Sequence, residues 1–207
     1  MDSVKCQVEK PDEIIVVDNN STDNTVNIAK KYNVRLLKEK KQGITPARNK
    51  GYDSAKYEII ARCDADSILP PDWIKKIKDN FKNHHIDALT GPGDVYDLVP
   101  GKSLSYKAYF DFVKKIQHGK ETLWGPNMAI TKLMWNKVKK ELCFDDKKVH
   151  EDIDLALHIL RNKGKIYRDN SLIVKMSSRR LKFKPLSLLI EYPYRMMRTY
   201  KCHTFKI

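Results

Sequence analysis

Residues 13–23 read Glu-Ile-Ile-Val-Val-Asp-Asn-Asn-Ser-Thr-Asp. Ile14–Val17 is an unbroken run of β-branched residues with no polar alternation, so both faces of the segment need apolar cover. That is the pattern of a buried strand. The polar run from Asp18 ends it, because Asp, Asn and Ser bond nearby backbone and favour turns and helix caps. Reading outward, Thr25–Tyr32 is a short helix with Val26 and Ala29 facing inward, and Val34–Lys38 is a second strand. Thr45–Ser54 is helical, and Tyr57–Cys63 is a third strand ending at Asp64. Pro71 opens a further helix, where proline suits the first turn. Its Ile74, Ile77 and Phe81 share one face. Ile86–Thr90 is a strand closed by Gly91-Pro92-Gly93. Alternation of strand and helix over residues 1–90 predicts an α/β fold with a mostly parallel sheet.

The second half is less regular. Its pattern predicts a helix over Ser103–His118, a strand over Trp124–Ile130 and a helix running to about Glu141. Val149–Asn162 is helical, with Ile153, Ala156, Leu157 and Leu160 on one face. Leu172–Lys175 is a short strand, and Pro185–Tyr200 a basic, aromatic, amphipathic helix. No internal repeat or low-complexity linker interrupts the chain. One domain over 1–180 is expected, with a first half of about 1–100, a second half of about 101–180 and a C-terminal extension at 181–207.

At 207 residues and 41% hydrophobic content, the chain has enough Ile, Leu, Val and Phe for one core, which excludes a disordered protein. Four cysteines, at 6, 63, 143 and 202, lie too far apart for zinc spacing and read as free thiols of a reducing compartment. No apolar run approaches the ~20 residues a membrane span needs. The N-terminus has no basic region followed by an apolar stretch, so no signal peptide is read there. A cytoplasmic protein is expected, peripheral to the inner face of the cell membrane if the tail binds lipid.

Charge is divided unequally. Residues 1–100 carry 16 basic and 16 acidic side chains, whereas 101–207 carry 24 and 10 and so hold the whole net charge of +14. Such asymmetry points to an anionic partner: nucleic acid, membrane surface or phosphorylated substrate. A lysine-rich background composition is the plainer source. The tail from Leu181 interleaves Lys and Arg with Phe183, Leu186, Tyr192, Tyr194, Met196 and Met197. It suits either an anionic leaflet or packing against the catalytic domain or a second subunit.

Candidate chemistry sits where strands end, since ligands of open α/β sheets bind at the carboxyl edge. Asp18 follows the first run, and Asp64-Ala65-Asp66 follows the third. Two carboxylates one residue apart suit a hard divalent cation, although turns are rich in Asp for local bonding alone. Arg48, within Gly43–Gly51, is either a surface residue or a phosphate contact. Glu151, Asp152 and Asp154 open a helix, where acids complement the macrodipole. The same position suits a general base.

The order of these pieces is more telling than any one of them. Glu13–Asp23 is followed by Ala47-Arg-Asn-Lys-Gly51, by Asp64-Ala-Asp66 with Leu69-Pro-Pro-Asp-Trp-Ile74, by Gly125-Pro-Asn-Met-Ala129, and by Phe144 before Glu151-Asp-Ile-Asp-Leu155. The series resembles the family 2 glycosyltransferases, nucleotide-sugar transferases of the GT-A fold, over about residues 10–180. The resemblance implies an inverting, metal-dependent, hexosyltransferase-like enzyme that moves a sugar from a UDP- or GDP-sugar to the hydroxyl of a glycan or lipid-linked acceptor in cell-envelope glycan synthesis. It implies nucleotide-sugar contacts for Asp18, Arg48, Asp64, Arg179 and Arg180, and Mg²⁺ or Mn²⁺ at Asp66. It makes Asp152 the base and puts Trp124, Asn127 and Glu151 on the acceptor side. Nucleic acid is not an implied partner, and no stacking-aromatic motif or helix-turn-helix pattern is visible.

Two departures accompany the resemblance. Family members normally begin with a strand and a Pro-x-Tyr/Phe-Asn-Glu loop, then a helix, whereas Met1–Gln7 here resembles the end of that helix. The remaining sheet is expected to expose an edge that the absent strand would cover. A misassigned start, a catalytically inactive truncated remnant or binding protein of the same fold, and a variant completed by a partner all follow from this. The second departure is Met176, which stands near where some relatives carry a metal-binding histidine and suits a hard cation poorly.

Overall fold

The structure is a computed structural model describing residues 1–99, 102–105, 107–146, 148–178 and 191–203. The β-branched run forms strand β1 (Ile15–Asp18), which pairs in parallel with β2 (Arg35–Lys38). Helix α1 (Asp2–Lys5) precedes them, and α2 (Thr25–Ala29) joins them. Helix α3 (Ile44–Ser54) packs on β1, where Gly51 lies against the Val17 side chain, and leads to β3 (Ile59–Cys63). Helix α4 (Trp73–Asn83) follows the prolines and buries Trp73, Ile74 and Ile77. Then comes β4 (Ala88–Thr90).

The second half departs from the expected pattern. Strands β5 (Gly93–Val99) and β6 (Lys102–Ser105) form an antiparallel pair where a helix was expected from Ser103, and helix α5 begins later (Lys107–Ile116). Strand β7 (Asn127–Thr131) is followed by α6 (Lys132–Val138), whose N-cap Thr131 hydroxyl accepts from the Met134 N–H at 3.2 Å. Helix α7 (Glu151–Arg161) then runs to β8 (Ile166–Arg168), β9 (Val174–Met176) and α8 (Tyr192–Cys202).

Three sheets result: β1-β2, β3-β7-β4-β8 and β6-β5-β9. They are mixed rather than mostly parallel. β7 enters antiparallel between β3 and β4, while β4-β8 and β5-β9 are parallel. β7 is central and β-branched or apolar at nearly every position, and Met128, Ala129 and Ile130 are fully buried. One core lies between β7 and helices α6 and α7, around Ile130, Trp135, Leu155 and Ile159. A second lies on the opposite face, around Trp73, Leu89, Phe110 and Trp124.

Strands β1 and β3 do not pair with each other among the described residues. A cavity of about 1040 Å³ separates them, lined by Ile15 and Val17 of β1, Ile59 and Ala61 of β3, and Trp73 and Ile77 of α4. The Lys56 N–H just before β3 donates to Glu13 Oε2 just before β1 at 3.1 Å, so the two strands start at the same end of the molecule. Among the described residues no strand lies between the facing edges of β1 and β3. Among the described residues no helix is long and apolar enough to cross a membrane.

Helix α8 packs on the domain. Its Thr199 hydroxyl accepts from the His150 N–H at 2.8 Å, Arg195 donates to the Val149 carbonyl at 2.8 Å, and Gln117 donates to the Tyr200 hydroxyl at 2.7 Å. Tyr194 and Met197 remain exposed on its outer side. The rest of the expected helix, 185–190, lies outside the described residues, as do Arg179 and Arg180.

Candidate active site

The carboxyl end of β3 and the start of α7 meet around two arginines, Arg48 buried and Arg62 slightly exposed. Helix α7 starts here because three acids, Glu151, Asp152 and Asp154, occupy its first turn, where the macrodipole favours negative charge. Glu151 is buried, and its carboxylate accepts from Arg48 of α3 at 2.5 Å and from Arg62 of β3 at 2.7 Å. Arg48 also donates to the Glu151 carbonyl at 2.8 Å, and its guanidinium lies 5.7 Å from the Trp135 ring centre. Burial alone would raise the Glu151 pKa, but the Arg62 and Arg48 charges outweigh it and hold the carboxyl below its ordinary value. Arg62 reaches the other way as well, with its guanidinium 4.0 Å from an Asp64 oxygen.

Asp152 follows Glu151 and has different partners. Its Oδ2 accepts from the Gly125 N–H at 3.1 Å and its Oδ1 from the Ile153 N–H at 2.9 Å. Burial and the neighbouring Glu151 charge raise its pKa, against a smaller opposing pull from His150. Two adjacent carboxyls are thus driven apart: one is a fixed anion inside a charge cluster, the other a carboxylate with heightened proton affinity. Gly125 makes this approach possible. A Cβ there would lie 2.9 Å from an Arg62 nitrogen and 3.2 Å from a Glu151 oxygen.

Asp64 and Asp66 lie on the turn after β3, where the Ser67 N–H donates to the Asp64 carbonyl at 3.1 Å. Asp64 is half-buried and Asp66 exposed. Ile68 exchanges two backbone hydrogen bonds with Lys175, of 2.8 and 2.9 Å, which ties this turn to β9 and to the chain that continues as Ser177-Ser178-Arg179-Arg180. The donor set fits a hard divalent cation: carboxylate oxygens at an accessible turn, beside a buried Ser67 hydroxyl that has no hydrogen-bond partner. Asp18, buried at the end of β1, accepts from the Ser21 N–H at 3.0 Å, and hydrogen bonding with the Ser21 side chain and then its backbone lowers its pKa.

Four expected contacts are revised. Asn127 is fully buried and cannot reach an acceptor. Its oxygen accepts from the Trp73 indole at 2.8 Å, and its amide donates to the carbonyls of Pro92 and Leu172 at 3.1 and 2.6 Å. It joins α4, β7 and the segments flanking β5 and β9, because a buried amide must satisfy every polar atom within the protein. Trp124 places its ring in the second core, edge-on to Phe110 at 6.0 Å. Arg48 reaches the wall of the cavity between β1 and β3, but its guanidinium is engaged by Glu151 because a buried cation needs an anionic partner. Glu151 likewise faces these two arginines and not an acceptor surface. Arg62 is the residue that sequence reasoning missed. Its one signal was a charge inside an otherwise apolar strand, two residues before Asp64.

The Glycosyl transferase family 2 model matches residues 1–142. The glycosyltransferase GlyG of Streptococcus pneumoniae is 31% identical over 143 residues, covering 63% of this chain and 48% of its own length. The glycosyltransferase GlyA of the same organism is 25% identical over 192 residues, covering 83% of this chain and 27% of its own. The chain therefore spans between about a quarter and a half of these curated relatives. Among solved structures, the mannosyltransferase PcManGT of Pyrobaculum calidifontis, in complex with GDP-Man and Mn²⁺, superposes with a TM-score of 0.73 at 16% identity, over 98% of this chain and 58% of its own. S. aureus TarS with UDP-GlcNAc gives 0.65 at 20% identity, over 86% and 53%. The sheet order, the acids gathered at its carboxyl edge and these matches together show that the chain belongs to glycosyl transferase family 2, enzymes of the GT-A fold.

Proposed function

We propose that the chain transfers a sugar, with inversion, from a UDP- or GDP-sugar to an acceptor hydroxyl, and that Asp152 is the general base. The observation that supports this most is the paired environment of Glu151 and Asp152. The arginine cluster fixes Glu151 and leaves Asp152 as the carboxylate with raised proton affinity, held by the Gly125 N–H. In the proposed step Asp152 accepts the proton of the acceptor hydroxyl as that oxygen attacks the anomeric carbon from the side opposite the diphosphate. A single displacement of this kind inverts the configuration.

Asp66, with Asp64 beside it, would hold Mg²⁺ or Mn²⁺, which when bound stabilises charge developing on the departing diphosphate. Asp64 and Asp18 are assigned to the nucleoside portion, and Arg179 and Arg180 to the diphosphate. The tie between the Asp64–Ser67 turn and β9 supports the last assignment, since β9 leads into those two arginines. The basic second half and the exposed Tyr194 and Met197 of α8 support a glycan or lipid-linked acceptor presented at the inner face of the membrane, in cell-envelope glycan synthesis.

Calorimetry with UDP- and GDP-sugars in Mn²⁺ tests the donor assignment. Metal-dependent heat with one donor series, lost in Asp66→Asn, is expected. No heat with any of them would reject the enzyme reading for this chain. The open cavity between β1 and β3 favours a second reading, a non-catalytic binding protein or remnant of the same fold. Donor binding without turnover on any acceptor would establish that reading instead.

A further inference from the structure

Away from the proposed active site, Asp154, His158 and His203 meet in the interior, each buried. Asp154 and His158 are four residues apart on α7, so they share a face one turn apart. His203 follows the last residue of α8. Its Nε2 lies 2.6 Å from Asp154 Oδ1, and His158 Nε2 lies 3.8 Å from the same oxygen. The two rings are nearly perpendicular, 4.7 Å apart. One ligand atom from each residue falls within 4.8 Å of the others.

The surroundings orient these groups. The Glu141 carboxylate lies 3.1 Å from His158 Nδ1, which makes that nitrogen the donor and leaves Nε2 as the bare lone pair directed at Asp154. Carboxylate, imidazole and metal in sequence is a common way of fixing the ligating tautomer. Asp154 Oδ2 is taken by the Cys143 N–H at 3.0 Å, so Oδ1 is the oxygen presented to both imidazoles. His203 Nδ1 is buried and has no hydrogen-bond partner. Arg161 holds the His203 carbonyl and so fixes the backbone at the end of α8.

We propose that Asp154, His158 and His203 form a zinc site that clamps α8 to α7. Two imidazole nitrogens and one carboxylate oxygen suit Zn²⁺ and leave a fourth position for water, whereas Mg²⁺ favours an all-oxygen shell. Tetrahedral coordination at about 2.0–2.2 Å sets ligand atoms roughly 3.3 Å apart. The Asp154–His203 pair opens and the Asp154–His158 pair closes by well under 1 Å, and the two imidazole nitrogens, within 4.8 Å of each other, draw together to reach it. The site joins the C-terminal helix to the helix that carries Asp152 two residues away. It is separate from the Asp66 cation, and it stands whether or not the chain transfers sugar.

The test is titration of the chelator-stripped chain with ZnSO₄ against a chromophoric chelator, repeated with Co²⁺ for its absorption spectrum. One equivalent of Zn²⁺ is expected, with visible cobalt bands of tetrahedral nitrogen and oxygen ligation and a raised unfolding midpoint. Asp66→Asn should bind zinc equally well. His158→Gln and His203→Gln should each lose about tenfold or more in zinc affinity and the zinc-induced rise in midpoint. If His203→Gln fails to fold, His158→Gln alone decides. Absence of stoichiometric binding, affinity unchanged in the folded variants, or a thiolate-to-cobalt charge-transfer band would overturn the proposal.

Discussion

Two strands of this chain end in acids at the same edge of the molecule, yet their surroundings differ. β3 is paired with β7, buried from Asn127 to Ile130, and its Arg62 is locked into the cluster with Glu151 and Arg48. Among the described residues β1 has only β2 as a strand partner, its Ile15, Val16 and Val17 are half-buried, and its other edge faces the cavity. The comparison teaches where rigidity resides. The charge cluster that orients Asp152 is built from α3, β3 and α7, with Arg48 and Glu151 buried and Arg62 only slightly exposed. The end of β1 that carries Asp18 rests on one strand, α3 and the turn contacts that Asn19 makes with Gly43, Glu39 and Lys41.

Removing the anion at the centre of the cluster should have the largest effect. Glu151→Gln leaves Arg48 and Arg62 buried without their charge partner, and the expected loss is about 3–5 kcal/mol in urea unfolding. A loss below about 1 kcal/mol would show that the cluster is not the rigid part. Next, matched truncations compare the two regions directly. Ile130→Ala in β7 should cost about 2–5 kcal/mol, and Val16→Ala in β1 about 1 kcal/mol or less. Equal costs would remove the distinction. Smaller again is Gly125→Ala. Its methyl group presses on Arg62 and Glu151, and about 1–3 kcal/mol is expected, with transfer impaired more than donor binding.

Acid titration separates the two carboxyls. Glu151 has a lowered native pKa, so its contribution to stability is complete above its ordinary 4.5 and is lost as pH falls through the lowered native value. Asp152 has a raised pKa, so the acid limb of the rate profile should lie above the ordinary carboxylate range. Activity therefore fails before the fold does as pH falls. Coincident loss of both would contradict this assignment.

Much of the scaffold was legible in the residues because it rests on local pattern. The β-branched run of β1, the apolar stripe of α4 and the acidic first turn of α7 were all placed within about two residues. The β5-β6 pair was not, because β5 is held in its sheet by β9, a partner some 80 residues later, which no local periodicity announces. The same physics explains the site. Asp18, Asp64, Asp66 and Asp152 stand at strand or helix ends, where short polar residues have a recognisable place. The partnership of Arg62 with Glu151 spans 89 positions, and the burial of Asn127 and Trp124 is decided by what packs over them.

The central claim is that Asp152 acts on the acceptor proton while the arginine cluster beside it only holds the framework. Asp152→Asn keeps the side chain's shape and its bond from Gly125, and it removes a charge that burial disfavours. Transfer rate, donor affinity and unfolding midpoint, measured side by side in this variant, test the claim most directly. The account predicts transfer reduced by about 10²–10⁴-fold, donor affinity unchanged and a midpoint no lower than that of the parent chain. Transfer persisting near the parent rate, with the variant folded and binding donor, would contradict it.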